Sequence, residues 1–262
     1  LRYPTASVGT PGYTVTGTLD TTTDTAYPIA NTAYYKLNGD ALDSAGSING
    51  TWSGTETYVA GRFGQAANFN SASAISLGAL NQFSSTTVSF SLWFYSTSVS
   101  NTAILLGSNK NAIFAGEFDL YTYNSGFLVT VATSASAYRQ LTTPANLSNN
   151  TWHNVVVTLD TSFTPNVAKI YLDGNEQTTT LIGNVGTIST ALLSSTENLN
   201  IGVDNVPSSY FNGSIDQVRI FPTVLSAGNV TSLYNESTVI PSTDGTDSIL
   251  QFIGGTGTIT FS

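Results

Sequence analysis

Cysteine and methionine are both absent from the 262 residues, and only seven Lys and Arg side chains and one histidine are present. The first absence excludes disulfides and thiolate metal sites. It suits a bacterial or viral exterior protein better than a small animal ectodomain. The missing methionine, which extends to position 1, leads us to expect a processed product or a fragment, with any targeting peptide outside it. Charged residues are also scarce, at 9% against ~25% in ordinary soluble domains. Solubility therefore rests on neutral polar groups, mainly Ser and Thr. The net charge is −9 and the basic residues form no cluster, which argues against a nucleic-acid partner. A weakly charged, acidic surface suits neutral glycans or divalent cations. No apolar run approaches the ~18 residues of a membrane span, so membrane insertion is not expected.

What is present points to strands. Apolar residues make up 40% of the chain, enough for a sizeable core. Thr, Val, Tyr and Phe favour extended backbone, and abundant Gly and Asn favour turns. Short strands are predicted at 66–70, 74–78, 87–96, 102–107, 117–123, 127–133, 152–160, 167–173, 198–203 and 214–221, after an opening strand from Tyr34 to Asn38. Turns such as Asn38-Gly39-Asp40 and Asp173-Gly174-Asn175 separate them. Such punctuation indicates an all-β sandwich or barrel. One short helix is predicted, capped by Ser226, with Val230, Leu233 and Tyr234 on one face. Residues 1–31 read as lead-in strands, 32–237 as the main domain, and 238–262 as a linker with a β extension that starts another domain.

Six segments in order resemble laminin-G-like domains of the concanavalin A-like lectin/glucanase superfamily. They are Tyr34 to Gly46, Gly61 to Phe69, Val88 to Phe94, Thr151 to Asp160, Ile170 to Gly174, and Phe211 to Phe221 with Leu225-Ser226. The resemblance implies an antiparallel jelly-roll β-sandwich over about 32–237. It also implies a range of roles, from glycan binding and adhesion to virion surfaces, so function must come from a site.

Four groups of residues are candidates. Strand alternation places Asp216 in the row of Val218 and Ile220, where a lone carboxylate is costly. The resemblance brings the turn with Asp40 and Asp43 near it. Structural Ca²⁺ held by Asp40, Asp43 and Asp216 is one reading. The other is Asx turns at Asp40 and Asp43 and an Arg partner, such as Arg62, for Asp216. The segment Glu117-Phe118-Asp119-Leu120-Tyr121 resembles the catalytic strand of sandwich-fold glycoside hydrolases, but Tyr121 and Thr122 stand where the second Glu belongs. Hydrolysis needs two carboxylates, so a non-enzyme is expected, with Glu117 and Asp119 on an exposed polar face. His153 is expected to be structural. Aromatic rings stack on sugars, and Trp52, Tyr121, Tyr123, Tyr210 and Phe211 are the carbohydrate-binding candidates, with Trp52, Tyr210 and Phe211 expected at the surface. Trp93 is expected to face a concave binding surface or the second sheet.

These features point to a non-catalytic carbohydrate-recognition or adhesion module of a larger extracellular, cell-surface or virion-surface protein. Its partner would be a glycan or cell-surface polysaccharide, with homo-oligomer or surface-layer contacts also in view. A ligand-free fibre or decoration domain and a divergent hydrolase or lyase are the alternatives.

Overall fold

A computed structural model of the chain describes residues 2–4, 13–16, 29–108, 117–134, 136–162, 167–188, 192–205, 209–236, 240–243, 247–251 and 258–261. The sequence turns at 10–12 and 254–255 lie outside the described residues.

Two short N-terminal strands, β1 (Arg2–Pro4) and β2 (Tyr13–Thr16), come first. The main series is β3 (Ala33–Tyr35), β4 (Thr51–Ser53), β5 (Tyr58–Ala60), β6 (Gln65–Asn70), β7 (Ala74–Ala79), β8 (Thr87–Ser96), β9 (Ala103–Gly107), β10 (Glu117–Tyr123), β11 (Gly126–Ser134), β12 (Ala137–Thr142), β13 (Thr151–Asp160), β14 (Ala168–Leu172), β15 (Asn175–Glu176), β16 (Thr180–Val185), β17 (Asn198–Ile201) and β18 (Asn212–Phe221). Helix α1 (Ala227–Tyr234) comes next, then β19 (Ile240–Thr243), β20 (Asp247–Gln251) and β21 (Thr258–Phe261).

The main strands form two antiparallel sheets. One has the order β16-β12-β11-β10-β9-β17-β7-β4, the other β15-β14-β13-β8-β18-β6-β5, with β3 also on β18. Alternate residues of each sheet meet in one core, as in face-to-face sandwiches. Phe90 of β8 stacks on Phe118 of β10 at 4.4 Å, and Phe94 meets Phe127 of β11 edge-on at 5.9 Å. The flanks also pair with one another: β1 with β20, and β2 with β21.

The helix forms as the sequence predicts. The Ser226 hydroxyl accepts from Asn229 N–H, and the Asn229 side chain accepts from Ser226 N–H, closing a capping box. Val230 and Leu233 seal a second apolar cluster with Val156, Tyr171, Phe221 and Leu225, on the face of the β8–β13–β18 sheet turned away from the core. Tyr234 stacks on Trp93 there at 5.6 Å.

A bend in β18 reassigns the faces of that strand. Gln217 has φ +53°, and the register with β8 shifts between Asp216 and Arg219. That bulge gives Ile215, Val218 and Ile220 to the core and turns Asp216 and Arg219 to the outer face. Strict alternation through Asp216, Val218 and Ile220 is therefore interrupted, and Asp216 sits opposite Trp93 instead. Trp93 faces neither the second sheet nor an open groove. It is covered by Tyr234, by Phe63 edge-on, and by the Arg62 guanidinium 4.6 Å above its ring.

Candidate functional site

The three aspartates do not form an oxygen cage. Asp40 is exposed, and its Oδ1 accepts from Leu42 N–H at 3.1 Å, an Asx turn. Asp43 is buried, and its carboxylate takes four backbone donors. Oδ1 accepts from Tyr34, Ala45 and Gly46, and Oδ2 from Ile48, at 2.9–3.2 Å. Asp216 is fully buried, and its Oδ2 accepts from Phe63 N–H at 2.9 Å. Gly61 has no side chain here because a Cβ would lie 2.7 Å from that same oxygen. Among the described residues no three acidic or histidine side chains group to hold a metal. The oxygens that calcium would need at Asp43 already serve N–H groups, so these residues do not fit the ion. Asp43→Ala strands four donors and is expected to cost about 2–3 kcal/mol. The loss in urea unfolding should be equal in EDTA and in calcium; a loss seen only with calcium would restore the metal.

Alternation along β10 is as read. Phe118 and Leu120 enter the core, and Glu117, Asp119, Tyr121 and Tyr123 share the other face. The two carboxylates are not exposed, however: Glu117 and Asp119 are both buried. Gly107 pairs with Asp119 across the ladder, and its missing side chain lets Asp119 lie over β9, where Oδ1 accepts from Ser108 N–H at 3.0 Å. A Cβ on Gly107 would come within 2.9 Å of that oxygen and 3.4 Å of Asp204 Cβ. Further out on this face, half-buried Tyr121 pairs with Leu128, and Leu128 with Thr142.

The remaining aromatics divide. Trp52 is half-buried; it stacks on Phe69 at 5.4 Å and donates Nε1–H to the Tyr58 hydroxyl at 2.9 Å. Burial, with Glu56 nearby, pushes that hydroxyl up to about 12 against the Trp52 bond. Phe211 is not at the surface. It is a core ring, edge-on to Phe69 and Phe94, because the β18 lead-in turns it under β8.

Tyr210, its neighbour, stays half-exposed and lines a pocket of about 320 Å³ at the rim of the sandwich. Three loops build it, from the ends of β8 and β6, the start of β9 and the approach to β18. Ser71, Ser96, Thr97, Ser98, Thr102 and Ser209 bring hydroxyls, and Asn101 and Asn212 bring amides; no lining residue is charged. Its walls are tied together. Ser96 Oγ donates to Asn212 O at 3.1 Å, and Ile104 N–H donates to Ser209 O at 2.9 Å. The sequence offers Tyr210 as a candidate, and the structure sets it at this pocket beside a hydroxyl wall that the sequence does not mark, since Ser96-Thr97-Ser98 reads only as a turn between strands.

Two antiparallel sheets packed face to face define a concanavalin A-like jelly-roll sandwich. The sequence matches the Laminin G 3 family model of the concanavalin A-like lectin/glucanases superfamily over residues 69–231, and the chain belongs to that family. No curated protein matches the sequence. Among solved structures, it is similar to domain 4 of AbnA, a GH43 extracellular arabinanase from Geobacillus stearothermophilus, in complex with arabinotriose. The identity is 20%, over 78% of this chain and 98% of that one, with a TM-score of 0.57. It is also similar to botulinum neurotoxin type C, whose cell entry depends on interaction with two ganglioside molecules, at 16% identity over 80% and 53% of the chains and a TM-score of 0.58. The binding domain of botulinum neurotoxin DC in complex with SialylT matches at 13% identity over 80% and 52%, with a TM-score of 0.58. The chain spans about half the length of these toxin chains. Likeness at such identities is likeness of fold. No helix among the described residues is long and apolar enough to cross a membrane.

Proposed function

We propose that this domain is a non-catalytic carbohydrate-recognition module of an extracellular, cell-surface or virion-surface protein, and that it takes a neutral saccharide into the rim pocket. The observation that carries this reading is the pocket's lining: six hydroxyl side chains, two amides and one tyrosine, with Phe211 and Ala103 as its apolar part, and no charge. Sugar hydroxyls exchange hydrogen bonds with such groups, and a pyranose face packs on a phenol ring. The pocket is at the small end of the ~300–1,000 Å³ range for ligand sites, which suits one or two sugar units. Binding at one such site is weak, and repeated copies on a surface would raise avidity. The arabinotriose and ganglioside partners of fold relatives favour a saccharide ligand, and arabinotriose is a neutral one.

The non-catalytic part rests on β10. Asp119 is committed to Ser108 N–H, and Tyr121 replaces the second carboxylate. Glycan-array binding, with calorimetry on the strongest hit, tests the proposal. Tyr210→Ala is expected to weaken that hit at least about tenfold, or about 1.4 kcal/mol. An array silent both with and without calcium would favour the ligand-free structural role. Hydrolysis of a β-glucan that is lost in Glu117→Gln would overturn the non-enzyme reading.

A further inference from the structure

The face of the β8–β13–β18 sheet turned away from the core is closed beside α1 and opens toward the rim pocket. The register shows where the cover ends. In one row across the sheet, Asn154, Trp93 and Asp216 stand side by side on β13, β8 and β18. Tyr234, Phe63 and Arg62 cover that row, and Trp93 is 4% exposed. The next row on the same face is Trp152 of β13, Tyr95 of β8, Ser214 of β18 and Asn68 of β6. Here Trp152, Tyr95 and Asn68 are only half-buried, and none of the four side chains is charged.

Cross-strand aromatic pairs stabilise sheets without any ligand, so the rings alone do not make a site. Three further observations single this row out. The Trp152 and Tyr95 rings lie 5.8 Å apart, tilted by 48°, and the Trp152 indole N–H has no acceptor among the described residues. Polar groups flank the rings: Asn68 Oδ1 accepts from Ser214 Oγ at 3.3 Å, and the Tyr95 hydroxyl lies 3.5 Å from Oδ1 of exposed Asn150. Finally, the row joins the pocket. Thr97, two residues beyond Tyr95, and Asn212, two residues before Ser214, both line it. At ~3.4 Å per residue that step is about 7 Å.

We propose that the row Trp152–Tyr95–Ser214–Asn68 is a second saccharide site, continuous with the rim pocket, and that the ligand is a neutral oligosaccharide. This rests on the saccharide reading of the pocket. End units of the chain enter the pocket. The units that follow cross the lip at Thr97 and Asn212 and lie on the outer face of the sheet. There the Tyr95 and Trp152 rings take apolar sugar faces, and the indole N–H, Ser214 and Asn68 meet the hydroxyls. From β13 to β6 the row covers three strand spacings of ~4.8 Å, about 14 Å in all. That length has no use for a single sugar held in the pocket.

Arabino-, malto- and cello-oligosaccharides, from the single sugar to the hexamer, are titrated by calorimetry and by ¹⁵N NMR of the indole groups. Trp152→Phe identifies the Trp152 indole signal. In at least one series affinity should rise beyond the disaccharide, and the hexamer should shift the Trp152 indole while the covered Trp93 indole stays still. Trp152→Ala should weaken the hexamer about tenfold or more and the disaccharide less than about twofold. Trp152→Phe, which keeps a stacking ring, should recover most of the hexamer's affinity. If the Ala variant does not fold, the indole shift in the parent protein decides. A hexamer bound no better than the disaccharide, or a Trp152 indole that the hexamer leaves unmoved, would overturn the second site and leave the pocket standing. Hexamer binding lost in Trp152→Ala but intact in Tyr210→Ala would refute the pocket and keep the row. Silence in every series would overturn both.

Discussion

Arg219→Ala is expected to lower the unfolding free energy by about 3–5 kcal/mol, the range for breaking a buried ion pair from one side. The guanidinium is 2% exposed. It pairs with Glu236, just past α1, at 2.9 and 3.0 Å, donates to the Tyr34 hydroxyl at 2.9 Å, and lies 4.3 Å from the Tyr34 ring. The same hydroxyl donates to Gln217 Oε1 at the bulge. Burial alone would pull the Arg219 guanidinium down, but Tyr34 and Glu236 outweigh it and hold it above its usual range, charged at every working pH. Truncation leaves Glu236 and Gln217 facing an empty, half-dry space and loosens α1 from the sheet. Urea unfolding measures the loss. Arg219→Met combined with Glu236→Leu should recover most of it, because removing both charges together spares the cost of a stranded one. A single variant within about 1 kcal/mol of the parent would show that this ion pair is not what holds α1 down.

Gly213→Ala is expected to cost about 3 kcal/mol or more and to change the rim pocket. Gly213 sits at φ +150°, and a Cβ there would lie 2.1 Å from the Tyr95 carbonyl oxygen and 2.9 Å from the Phe211 ring. The clash is with backbone, so β18 must move away from β8. That movement would part Ser96 Oγ from Asn212 O, the bond that joins two walls of the pocket. Chemical unfolding reports the stability, and glycan titration of the surviving folded fraction reports the pocket. Full stability in Gly213→Ala would mean that the strand end relaxes without strain.

Most of the sandwich was legible in the sequence because its inward rows alternate cleanly. Val88, Phe90, Leu92 and Phe94 read as core and are core. Ser226, Val230 and Leu233 read as a capped helix and form one. Strands β12 and β16 escaped notice for local reasons. In β12 Arg139 occupies a buried position, its guanidinium satisfied by the carbonyls of Tyr138, Val185 and Gly186. In β16 the pairing slips between Gln140 and Leu141, which spoils the period of two.

The candidate site was less legible, since it depends on contacts between loops far apart in the chain. Tyr210 and Phe211 are adjacent and both border the pocket, yet Tyr210 stays half-exposed while Phe211 is a buried core ring. Only the path of the β18 lead-in under β8 separates them. Asp216 was sent to the wrong face by a bulge at Gln217, which has no local marker because neither neighbour is Gly or Asn.

By itself, then, the sequence determined the two-sheet architecture, its family and the poverty of charge, because composition and strand period act locally along the chain. The tertiary structure alone decided that Asp43 and Asp216 accept from backbone N–H groups, that Glu117 and Asp119 are covered, and that Tyr210 meets a set of Ser, Thr and Asn side chains from three loops. Those outcomes depend on which backbone groups converge in space, and the spacing of residues along a strand does not encode that convergence.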